Sequence, residues 1–290
     1  MPAMSGDQPT TGSVVRRMIL GNQLRRLREN AGITRADAGY RIRGSDSKMS
    51  RLELGRVGFK ERDVVDLLKF YGVDDPEEHE KFLTLATLTN QPGWWRRYND
   101  LMPKWFEDFV GLEEAASRIQ AYELQFVPGL MQTEAYTRAI VSRGESSIVS
   151  REVDRRVALR MQRQKVLLGP EAPRLWAVID ESVLHRPLGG RTVLLAQIDR
   201  ILELTALPHI SVQIVPYAVS GCAAEGSFTV LRFAEPDVPD VVYIEQLTGA
   251  MYLEKRSDVD HYLDVSNRLG ATSLDPAASM RFLSEVLRET

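Results

Sequence analysis

Leu20, Leu24 and Leu27 fall at i, i+4 and i+7 among Arg25, Arg26 and Arg28, the spacing of a helix whose apolar stripe turns inward. It predicts a first helix of about 17 residues, closed by Asn30 and Gly32. Thr34, with Asp37 three places on, is a capping signal for a short second helix through Ala36, Ala38 and Tyr40 to about Arg43. Gly44 makes a turn. Ser45 or Asp46 then caps a third helix that Gly55 ends, and Val64, Leu67, Leu68 and Tyr71 form the stripe of a fourth before Gly72. A fifth opens with Asp74, Asp75, Pro76, Glu77 and Glu78, acids at its positive end, and buries Phe82, Leu85, Ala86 and Leu88.

After Asn90, Gln91, Pro92 and Gly93 the period changes. Helices are predicted near Thr133–Ser142, Ser150–Leu168, Thr192–Ala206, Val259–Leu269 and Asp275–Glu289. Alternation and β-branched content predict strands near Leu175–Ile179, Ile210–Val215, Phe228–Phe233, Val241–Glu245 and Ala250–Leu253, the last two joined by a hairpin at Gln246 to Gly249. The expected class is α+β. A disordered tail over 1–13, rich in Ser, Thr, Gly and Pro, precedes an all-α domain over 14–90, and a mixed α+β domain with a modest antiparallel sheet covers 91–290.

The third helix carries the candidate chemistry. In SKMSRLELGR, Met49 and Leu52 point to a core, whereas Ser47, Lys48, Ser50 and Arg51 form an open face of small donors and cations. Net charge adds a direction. Val14 to Arg62 holds 13 Lys plus Arg against 5 Asp plus Glu, a net of +8, while the whole chain is at −3, so the remainder carries −11. A polyanion is drawn to the first window and repelled by the rest. Four or five short helices, one tight turn and a cationic third helix make a helix-turn-helix reading for which double-stranded DNA is the partner.

Residues from about Leu20 to Val73, through LRRLRENAGITR and SKMSRLELGR, resemble the helix-turn-helix domain of the xenobiotic-response-element (Cro/C1-type) repressors. Downstream, GWWRRYNDLMPKWFEDFVGLEEAASRI, YELQFVPGLMQTEAYTRAIV, GSFTVLRF and VVYIEQLTGAMYLE resemble the domain that follows it in actinobacterial regulators of the WhiJ-like group. The first resemblance implies that Asp46, Ser47, Ser50 and Arg51 face base edges. Arg51 is suited to guanine O6 and N7, and Asp46 either accepts from cytosine or caps its helix. Thr34, Arg35, Lys48, Arg56 and Lys60 fit phosphate contacts. Arg28 and Glu53 match a structural ion pair linking the first and third helices. The chain departs from the family at Arg35, where glutamine is common, at Gly39 for alanine, and at Arg43-Gly44 for Gly-Val.

The second resemblance implies a small protein partner encoded nearby. Pro128, Gly129, Leu130 and Met131 form a candidate partner or pocket loop, with a turn packed on the core as the favoured reading. Trp94, Trp95, Tyr98, Trp105, Phe106 and Phe109 read as a core anchor in preference to a base-stacking surface. Asp180, Glu181 and His185 cluster at a predicted strand end, but no nucleophile elbow, phosphate loop or dinucleotide fingerprint accompanies them, and no catalytic residue is expected. Cys222 is the one cysteine and the four histidines lack ligand spacing, so neither metal nor cofactor is expected. No apolar run reaches the roughly 18 residues of a membrane span. The expectation is a cytoplasmic, dimeric regulator, nucleoid-associated when bound, since one recognition helix covers half a site. The alternatives are an antitoxin-like module that sequesters its partner and a small-molecule sensor.

Overall fold

The computed structural model describes residues 13–90, 93–144, 150–219, 224, 226–236 and 238–289. The tail expected over 1–13 falls outside these residues except for Ser13, which begins the first helix, and Cys222 also lies outside them. The chain forms two compact units, one of Met1–Arg97, Asp108–Ala115 and Phe233–Val238, the other of Tyr98–Glu107, Ala116–Arg232 and Pro239–Thr290.

In the first unit α1 spans Ser13–Asn30, α2 Arg35–Arg41, α3 Asp46–Glu53, α4 Glu61–Phe70 and α5 Pro76–Thr89. Leu20 and Leu24 of α1, Met49 and Leu52 of α3, Val64, Leu67 and Leu68 of α4, and Phe82 and Ala86 of α5 meet in one core. The caps explain the boundaries. Thr34 Oγ1 accepts from Asp37 N at 3.1 Å, and Asp75 Oδ1 accepts from Glu77 N at 3.0 Å ahead of Pro76. At the end of α3, Gly55 takes φ +66 and Arg56 N donates to Arg51 O at 2.9 Å, the Schellman closure. A Cβ there would also lie 2.6 Å from Met18 N, so glycine serves both the turn and the close approach of α1.

The turn between α2 and α3 is tighter. A Cβ on Gly39 would lie 2.7 Å from Ser45 O, which is why the usual alanine is excluded. Arg43 takes φ +55, the left-handed region that glycine occupies at no steric cost. Its guanidinium reaches Asp66 Oδ2 at 3.5 Å, an exposed contact too weak to offset the strain fully.

The second unit is built on a six-stranded sheet in the order β3-β2-β1-β4-β5-β6, with β1 Arg118–Glu123, β2 Arg174–Asp180, β3 Ile210–Val215, β4 Phe228–Arg232, β5 Val241–Gln246 and β6 Gly249–Leu253. The α+β class is as expected, but the sheet is mixed instead of antiparallel. β1–β2 and β2–β3 run parallel, while β1–β4, β4–β5 and β5–β6 run antiparallel. The connections decide this. Helices α7 (Glu134–Gly144) and α8 (Ser150–Arg163) return the chain from β1 to β2, and α9 (Arg191–Thr205) returns it from β2 to β3, whereas Leu247 and Thr248 alone join β5 to β6. The strand sequence analysis missed is β1, the inner strand where the two halves join. Its Gln120 and Glu123 interrupt the apolar pattern.

Tyr122, Val178, Phe228, Val230, Val242 and Ile244 pack on Val259, Val265 and Leu269 of α10 (Arg256–Thr272). The β3 edge is closed by the segment leading into α11 (Pro276–Glu289). There Leu274 N donates to Ile214 O at 2.9 Å, and Ile214 N donates to Ser279 Oγ at 3.0 Å. The remaining helix, α6, spans Lys104–Ala115.

Arg43→Gly is expected to raise the unfolding free energy of the first unit by about 0.5 to 1 kcal/mol, because glycine removes the left-handed strain. A urea midpoint equal to or below that of the unaltered protein would refute the strain.

Candidate nucleic-acid interface

The caps orient α3. Ser45 is its N-cap, accepting from Lys48 N at 3.2 Å. Asp46 is therefore not the cap, the role sequence analysis had weighed for it. It occupies the first turn, half exposed, with Arg35 Nε 3.5 Å from its Oδ1. Met49 and Leu52 are buried at 0% and 1% exposure, which turns Ser47, Ser50 and Arg51 away from the core. Ser47 and Arg51 are exposed and Ser50 is half-buried. Arg51 Nε lies 3.3 Å from Ser47 O, which steadies the guanidinium along its own helix.

The cations expected at phosphates are placed differently. Thr34 is exposed, but its hydroxyl is engaged with Asp37 at the α2 cap. Lys60 and Arg56 are exposed at the ends of the α3–α4 connection. Lys48 is half-buried and donates to Asp63 Oδ2 at 2.9 Å. Sequence analysis missed Asp63, which is 3% exposed among Val64, Leu67 and Leu68. Nothing in an i, i+4 pattern separates a buried acid from a solvated one.

Arg28 and Glu53 are brought together in a buried, two-pronged pair. Arg28 Nε donates to Glu53 Oε1 at 2.5 Å and Nη2 to Oε2 at 3.0 Å, while Nη1 donates to Ile33 O at 2.9 Å. Arg28 is 7% exposed and Glu53 6%. The hydrogen bonds it donates to Glu53 hold the guanidinium above its ordinary pKa even against the cost of burial. The Tyr71 hydroxyl is buried close by without a hydrogen-bond partner, and burial, followed by the Glu53 charge, drives its pKa up. The pair fastens the end of α1 to the end of α3, so the angle of the recognition helix depends on it.

Two families match this chain. A helix-turn-helix domain family matches residues 19–82, the segment containing most of α1, α2 to α4 and the start of α5. A family described as a domain of unknown function, DUF5753, matches residues 106–285, more than half of the chain. The chain belongs to the DUF5753 family. No match was found among curated proteins or among solved structures.

Within the DUF5753 domain, the candidate partner or pocket loop is packed on the core, the reading the sequence favoured. Leu130 and Met131 are 4% and 0% exposed, Pro128 is buried and Gly129 half-buried. Three glutamines bind the backbone of this loop. Gln132 Nε2 donates to Val127 O at 2.6 Å, Gln164 Nε2 to Gly129 O at 3.0 Å and Gln132 O at 2.7 Å, and Gln197 Nε2 to Met131 O at 2.8 Å. A buried loop needs such partners for its polar groups. Leu130 and Met131 are therefore core residues and present no docking surface.

The polar cluster at the strand ends is similarly occupied. Asp180 caps the turn at Ser182 N, 3.0 Å away, Glu181 accepts from Tyr217 N at 2.7 Å, and His185 stacks on Tyr217 at 5.8 Å. Trp95, Tyr98 and Phe109 are buried, and Trp94, Trp105 and Phe106 half-buried. Among the described residues no group of His, Cys, Asp or Glu could hold a metal ion, and no helix is long and apolar enough to cross a membrane. Glu123, at the end of β1, was not anticipated. Burial raises its carboxyl to about 7, opposed by a hydrogen bond from Ser227, reinforced by Glu245 and opposed by Arg160.

Two outcomes follow from these geometries. Glu53→Ala is expected to destabilise the first unit by about 3 to 5 kcal/mol, because it strands a buried guanidinium; an unchanged urea midpoint would refute this. For Glu123 the folded state binds the proton more tightly than the unfolded one, so stability falls as pH rises from about 4.5 to about 7. Glu123→Gln should flatten that fall and raise stability above neutrality by about 3 kcal/mol. Parallel stability–pH curves for the two proteins would contradict the assignment.

Proposed function

We propose that the protein is a sequence-specific, DNA-binding transcriptional regulator of the Cro/C1 type. Its helix-turn-helix domain docks on an operator, and its WhiJ-like DUF5753 domain receives a signal from a small partner protein. The observation that carries this reading is α3 itself. Its core face is fully buried and its open face offers Ser47, Ser50 and Arg51, within a window of net charge +8 in a chain of net −3.

Arg51 reads guanine through two parallel N–H donors, with Ser47, Ser50 and Asp46 beside it at base edges. Arg35, Arg56, Lys60, Thr34 and Lys48 contact phosphates, which set register and affinity without reading sequence. The acidic remainder keeps the rest of the chain off the duplex. The active form is a homodimer, its two recognition helices about 34 Å apart on a pseudo-palindrome. It acts in the cytoplasm, on the nucleoid, without cofactor and without catalysis. Asp180, Glu181 and His185 are engaged with their neighbours, which favours binding over chemistry.

Selection of genomic fragments by the purified full-length protein tests the reading, with competitor polymer at modest ionic strength. Enrichment of particular fragments is expected; equal retention of all sequences would sink it. On an enriched fragment Arg51→Ala should cost about 1 to 3 kcal/mol and relax the preference at one base. Arg56→Ala should weaken every sequence alike and lower the salt slope. Equal losses on specific and random duplex for Arg51→Ala would remove that residue from readout.

A further inference from the structure

A cleft of about 440 Å³ opens beside the recognition helix, lined by Arg25, Arg28 and Glu29 of α1, Arg35 of α2, and Ser50 and Glu53 of α3. Its charges are not equivalent. Arg28 is held by Glu53 in the buried pair and also reaches Glu29 Oε1 at 3.4 Å, so Arg25 and Arg35 are the cleft's half-exposed guanidinium groups. Arg25 Nε rests 2.8 Å from Glu29 Oε1, both side chains half exposed. Arg35 rests 3.5 Å from Asp46 Oδ1 and 3.5 Å from Ser50 Oγ, also half exposed. Exposed pairs of this kind are weak and screened, and a better acceptor displaces them. A phosphate is such an acceptor, because its oxygens take two parallel N–H bonds from each guanidinium.

We propose that this cleft is a phosphate-binding site, in which Arg25 and Arg35 clamp the anion and Glu29 holds Arg25 in place until the anion arrives. The phosphate is either a phosphodiester of duplex DNA, in which case the site rests on the DNA-binding reading above, or a phosphate monoester on a small metabolite. In the first case the cleft adds Arg25, outside the two helices of the motif, to the backbone contacts. Glu29 then acts as a brake on affinity, since its carboxylate competes for Arg25.

The test uses the full chain, a mixed-sequence DNA duplex that needs no knowledge of the operator, and pyrophosphate as a free anion. For the phosphodiester, Arg25→Ala and Arg35→Ala should each weaken duplex binding several-fold at low salt and lower the salt slope by about one. Glu29→Gln should tighten it. A gain of affinity cannot come from misfolding, so this variant keeps the test decisive even if an arginine variant is unstable. For the monoester, duplex binding should be unchanged in all three variants, while pyrophosphate binds the unaltered protein and not Arg25→Ala in calorimetry. If the unaltered protein binds duplex, no variant moves it, and pyrophosphate gives no heat, the cleft is not a phosphate site and the DNA-binding reading stands. If the unaltered protein binds no duplex, that reading falls. The pyrophosphate titration then decides the cleft by itself, loss of binding in Arg25→Ala supporting it and no binding to either protein overturning it.

Discussion

Two opposite charges removed from water at the junction of α1 and α3 govern the geometry of the N-terminal unit. Arg28 and Glu53 are almost completely buried, and an ion pair in that position is tolerated only when its hydrogen bonds are nearly all satisfied. The satisfaction is close to complete, with two parallel bonds between guanidinium and carboxylate and a third to the Ile33 carbonyl that leads into α2. Three helices are thereby tied to one point. The close approach of Gly55 to Met18 and of Gly21 to Leu52 O, where a Cβ would sit 2.4 Å away, becomes possible because the pair draws α1 onto α3. Specificity of packing, more than net stability, is the physical return from such a pair.

Around that fixed point the cations of the interface are held in place loosely. Lys48 leans on Asp63, Arg51 on the carbonyl of Ser47, Arg35 on Asp46 and Arg25 on Glu29. Apart from Asp63, these partners are exposed or belong to the helix itself, so the contacts restrain long side chains without neutralising the surface. The entropy of ordering them is partly met before any ligand arrives.

The DUF5753 domain follows a different logic. Helical returns make one half of its sheet parallel and short turns make the other half antiparallel, so β1 is paired on both sides and its polar residues must be accommodated inside. The same demand recurs at the loop from Val127 to Thr133, where glutamines from three directions bind the backbone. Buried polar networks of this kind specify one arrangement when fully bonded. They hold the interior of the domain in one arrangement.

Much of the N-terminal unit was legible in the sequence, because local chemistry decides it. Helix stripes, the Thr34 and Asp75 caps, and the glycines after α1, α3 and α4 act within a few residues, and the helices begin and end where those signals stand. The Arg28–Glu53 pair was legible only through a resemblance, since 25 residues separate its members. Strand positions at β2 to β6 could be read from alternation, but their directions could not, because direction depends on how the intervening helices pack. Tertiary structure alone decided that Ser45 and not Asp46 caps α3, that Leu130 and Met131 turn inward, that Gln120 and Glu123 lie on an inner strand, and that Asp63 receives Lys48. In each case the deciding partner lies outside the local pattern or the choice turns on backbone geometry, and a sequence records which side chains are available without recording the distances between them.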